Sequence, residues 1–134
     1  MVRSSTRRPL SCSELYRDPR FFHGIALFNK GDWYSSHDVF ESLWGDTSDS
    51  EKLLLQGFLQ IAVGNFHIER NNLNGAIITL SSGLMNLESF RFNVLGIDIN
   101  YLCIITANYL DAIQKGQDLR NSELKRSFIQ IDTG

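Results

Sequence analysis

The chain has 134 residues, 43% of them apolar, a length at which one hydrophobic core removes about two-thirds of the unfolded surface from water. Its 13 basic and 15 acidic residues leave a net charge of −2, so no global field draws in nucleic acid or an anionic membrane, and neither is expected as a partner. No apolar run approaches the roughly 18 residues that span a bilayer, no apolar segment of a signal peptide follows the basic start, and Cys12 and Cys103 make neither a CxxC pair nor a zinc spacing, which fits a reducing, cytoplasmic setting.

Residues 1–18 read as a flexible basic arm, with Arg3, Arg7, Arg8 and Arg17 set against Glu14 and Asp18. Polar termini of this kind contribute little to a core, and a Ser-rich, Arg-rich, acid-poor start also resembles a short transit peptide. Asp18 followed by Pro19 marks a helix start, because the N–H that proline lacks has no intrahelical partner there. A first helix over Phe21–Lys30 follows. Gly31 and Asp32 end it and cap a second, Trp33–Trp44, as expected of glycine after a helix and aspartate before one. After the polar turn GDTSDS, Asp49 or Ser50 caps a third helix, Glu51–Arg70, which is apolar almost all round and so expected at the centre. NNLNG turns the chain again. Leu73, Ala76, Ile77, Leu80, Leu84 and Leu87 then recur at helical spacing in a fourth helix. SFRFNVLGID reads as a loop, and Asp98 caps a fifth helix that stops at Lys115 and Gly116. Residues 118–134 form a tail, ordered at most in part, in which SFIQID holds the one alternating pattern. The fold expected is all-α: a compact bundle of about five helices over residues 19–117, stacked as helix hairpins around the third.

A polar stripe interrupts the apolar faces. At about 100° per residue from Trp33, Trp44 falls near 20°, His37 near 40°, Glu41 near 80° and Tyr34 near 100°, so aromatic neighbours place the His37 and Glu41 side chains inward. On the third helix Gln56, Gln60 and His67 fall within about 40° of one another. Gly57 and Gly64 lie beside them, where a missing side chain lets another backbone come close. Packing the second helix antiparallel to the third would bring these groups into one buried cluster. A buried, unpartnered carboxylate costs several kcal/mol, so Glu41 is expected to pair, with His37 one turn away as first partner.

Three readings of the cluster stay open. It could be a satisfied polar network that fixes helix register. It could be a pocket for a small molecule or a protein segment, walled by Trp33, Trp44, Phe58 and Phe66. Or His37, Glu41 and His67 could ligate one divalent transition metal, since two histidines and a carboxylate with an open position suit catalytic zinc and non-haem iron. No HExxH, no glycine-rich phosphate loop and no nucleophile elbow accompanies them.

The same residues resemble those of a family of small helical proteins, domain of unknown function 309. The resemblance rests on HDVFESLW, on QGFLQIAVGNFH, on NGAIITL opening the next helix and on LGIDI before the last, over about Phe21 to Leu110. Asp38 stands where members often carry a second Glu, and Gly64 where many carry Ala. The resemblance implies an all-α fold and marks His37, Glu41, Trp44, Gln56, Gln60 and His67, but implies no activity. LQIAVGNFH resembles members from cyanobacteria and plastid-bearing lineages, which makes the plastid stroma the alternative location. The function expected is a non-enzymatic binding or interaction module without a cofactor, its site formed by His37, Glu41, Trp44, Gln56, Gln60, His67 and Trp33. A metal-dependent enzyme using His37, Glu41 and His67 is the alternative.

Overall fold

The helix boundaries follow local signals. The computed structural model describes residues 8–91, 96–120, 124 and 126–131. Among them run α1 (Cys12–Arg17), α2 (Pro19–Lys30), α3 (Trp33–Asp46), α4 (Asp49–Glu69), α5 (Leu73–Leu87) and α6 (Ile99–Gln114), with one 3-10 turn at Glu88–Phe90. Asp18 accepts from the Arg20 N–H, Asp32 from Ser35, Asn72 from Gly75 and Asp98 from Tyr101. Each thereby supplies a partner to an N–H that the helix itself leaves orphaned. Gly31 closes α2 in the left-handed region at φ 81°, where a side chain would be strained. The α4 start lies slightly earlier than expected, with Ser48 as the cap position.

Tertiary packing turns these elements into an all-α bundle. Helices α2 to α6 each pack on the next in sequence, and α4 packs most extensively, against α3 and α5. The Trp33 indole donates to Glu69 at 2.9 Å, and the Lys52 ammonium stands 4.4 Å over the Trp44 ring. One end of α3 therefore meets the far end of α4, so the two run antiparallel. Phe58 sits in the core of α4 with its ring 5.3 Å from Phe40 of α3 and 6.4 Å from Phe21 of α2. On the other side α5 comes in over glycines: a Cβ on Gly57 would stand 2.5 Å from Leu87, and one on Gly64 2.5 Å from Leu80. The close approach expected beside the polar stripe is thus made by α5.

Two segments outside the five main helices add to the core. Residues 1–7 of the basic arm lie outside the described residues. From Leu10 onward the arm is docked: Leu10 bridges Thr47, Ser11 and Glu14 form a capping box for α1, and Leu15 is fully buried. The segment before Pro19 therefore contributes to the core. The capping box is the reason, because it supports a short helix that aims Leu15 inward and sets Tyr16 edge-on to Phe21 at 4.9 Å. In the tail, β2 (Gln130–Ile131) pairs antiparallel with β1 (Ile97–Asp98). Ile129 is fully buried, and the Asn29 amide clasps it, donating to its carbonyl at 2.9 Å and accepting from its N–H at 2.8 Å.

Candidate functional site

The inward arc of α3 is Trp33, Ser36, Phe40 and Leu43, recurring at helical spacing. His37 and Glu41 lie one step round from it, at the helix edge. Their side chains are 32% and 64% exposed, and His37 Nε2 is 3.4 Å from Glu41 Oε2. The expected pair forms, but Glu41 is not buried, and the polar site is an open one. Tyr34 and Trp44 do not face inward, being 67% and 37% exposed, so the buried arc of α3 lies rotated from the expected one. Small residues set the true orientation: the Ser36 hydroxyl donates to the Gly24 carbonyl at 2.9 Å, and a Cβ on Gly24 would meet the Phe40 ring at 2.8 Å. This is contact too close for a larger face.

Exposure sets the energetics of the pair. Helical ion pairs at i and i+4 on a surface contribute about 0.3–0.5 kcal/mol, so Glu41→Gln is expected to leave the stability within about 0.5 kcal/mol of the parent. Urea unfolding checks this; a loss above about 2 kcal/mol would mean that Glu41 carries a structural load its exposure does not show.

The stripe on α4 is half-buried between α3 and α5. Gln60 Oε1 accepts from the Asn86 amide of α5 at 2.5 Å, while Gln56 has no side-chain partner among the described residues. His37, Glu41 and Trp44 of α3, Gln56, Leu59, Gln60 and Val63 of α4, and Thr79 of α5 line one cleft of about 370 Å³. Next to it, Trp33, Tyr34, His37, Val63, Phe66 and His67 line a second, of about 250 Å³. Five of the seven residues singled out in the sequence share the first cleft; Trp33 and His67 fall in the second. Trp33 is only 4% exposed and packs edge-on against Phe28, so it is core more than wall. Phe58, expected as a wall, is fully buried.

The three-ligand metal set is not gathered. His67 turns Nδ1 to the Asn72 amide at 3.1 Å. Among the described residues no group of three or more His, Cys, Asp and Glu side chains is placed to hold a metal. His67 lies seven residues beyond Gln60 and lines the second cleft with His37, whereas Glu41 lines the first. Nor is there a ready thiolate nearby: burial pushes the Cys103 thiol up, and burial with the neighbouring Glu51 does the same to Cys12.

Sequence reasoning missed Thr79, whose hydroxyl donates to the Gly75 carbonyl at 2.8 Å. Its signal is a polar residue on the flank of an apolar helix. It also missed Tyr34 and Val63 as lining. Val63 is the more consequential, since it and His37 belong to both clefts.

No curated protein matches the chain. A family model, described as Domain of unknown function (DUF309), matches residues 21–79, a span that takes in every residue lining the two clefts. Those residues are therefore similar to the DUF309 family, as the resemblance implied.

Proposed function

We propose that this domain is a binding module for a small molecule, and that its site is the cleft between α3, α4 and α5. The observation that carries the reading is convergence. An imidazole, a carboxylate and two carboxamides turn to one opening over the apolar Leu59 and Val63, with the Trp44 indole at its side. A concave, mostly apolar surface with a few placed polar groups is the usual form of a ligand site. Gln56 keeps both donor and acceptor free of side-chain partners, so a ligand gains its hydrogen bonds without breaking native ones. Cys12 and Cys103 are both free thiols, which supports a reducing compartment, the cytoplasm or a plastid stroma.

The test is a screen of small amphipathic fragments followed by backbone amide NMR shifts. Fragments are expected to move the signals of His37, Glu41, Gln60 and Thr79, and Trp44→Ala is expected to weaken them at least fivefold. A screen whose hits move only the cleft around Tyr109 and Arg120 would overturn the assignment, as would one without hits.

A further inference from the structure

We infer that the ligand is a hydrophobic primary amine of about 9 Å, with its ammonium at Glu41 and its ring or branched chain in the second cleft. This rests on the binding reading above and names the ligand's chemistry. The two clefts share His37 and Val63, so they form one groove with two ends. Six residues of helix separate Gln60 from Phe66, about 9 Å at 1.5 Å per residue. The ends differ in chemistry. Tyr34, Val63 and Phe66 make the second cleft chiefly apolar, and its volume of about 250 Å³ exceeds the roughly 150 Å³ that houses a benzene ring.

Charge then selects the polar end of the ligand. Neither lining includes Lys or Arg. Glu41 is the one carboxylate that lines either cleft, and its partner among the described residues is His37 at 3.4 Å, longer than a charge-assisted hydrogen bond. Asp38 adds a second acidic group, 3.4 Å from His37 Nδ1. An anion would enter beside these carboxylates with no Lys or Arg in the lining to receive it, whereas an ammonium finds Glu41 and the Gln56 carbonyl as acceptors. The Trp44 ring is not among the ammonium's partners, since Lys52 already stands 4.4 Å over it. Arg70, over Phe66 at 4.7 Å, covers the far end from outside the lining.

Tryptamine tests the inference, with indole-3-propionate as the acid of similar shape and ethylamine as the amine without a ring, each titrated by amide NMR and calorimetry. Tryptamine is expected to shift signals at both Glu41 and Phe66. The acid and ethylamine should each bind at least tenfold more weakly. Glu41→Gln should cost tryptamine at least tenfold, and Tyr34→Ala at least threefold with the Glu41 shift retained. Equal binding of the acid would overturn the amine while leaving the groove in place. If fragments of the earlier screen occupy the first cleft but tryptamine does not, this inference falls and the binding module stands. If nothing occupies either cleft, both fall.

Discussion

Phe58→Ala is expected to destabilise the domain by about 3–5 kcal/mol, the usual cost of deleting a buried aromatic ring. Phe58 is fully buried, and its ring joins α4 to Phe40 on α3 and Phe21 on α2. The deleted ring leaves a cavity bounded by three helices, whose backbones are held apart by other side chains and so cannot all close on it. A total stability of about 5–15 kcal/mol is typical of such domains, so about a fifth of it or more would go. Guanidinium unfolding with circular dichroism measures the loss. A value below about 1.5 kcal/mol would mean that α2 and α3 collapse onto the space and that the three-ring contact is not the keystone of that side.

One residue earlier the opposite defect applies. Gly57→Val is expected to cost about 2–3 kcal/mol through overpacking. A Cβ there would stand 2.5 Å from Leu87 and 3.3 Å from the Gly83 carbonyl, and Leu87 is itself fully buried. The gain in helix propensity on replacing glycine, under about 1 kcal/mol, does not offset that. Gly45→Ala is the control: nothing lies within 4 Å of its Cβ position, so propensity alone acts and stability should rise by about 0.5 kcal/mol. A Gly57→Val protein as stable as the parent would show that α5 can lift off α4 without loss.

What could be read in the sequence was local. Caps at Asp18, Asp32 and Asp98, the glycine stop at Gly31 and the glycines facing α5 are written in neighbouring residues, so the helices and the close approach were legible. The rotation of α3 was not. It depends on Gly24 and Ser36 meeting across two helices, and two exposed aromatics mimic an inward arc. The grouping of His37, Glu41, Gln56 and Gln60 was legible because spacing puts each pair on one face of its helix, and all four line the first cleft. Its depth was not, since burial is decided by the third wall. The docked tail was illegible for the same reason: the partner of Ile129 lies in α2, and no local pattern points across that distance.

The Asn29 clasp joins positions 100 residues apart in the chain. During synthesis, at roughly 5–20 residues per second, about 5–20 seconds separate the emergence of its two halves. Throughout that interval the Asn29 amide is hydrated, Asn65 lacks the Ser127 hydroxyl it later donates to, and the face of Trp33 later approached by Arg126 stays open. The helices can assemble on the ribosome in the order in which they appear, but these hydrogen bonds close only after synthesis has passed Ile129.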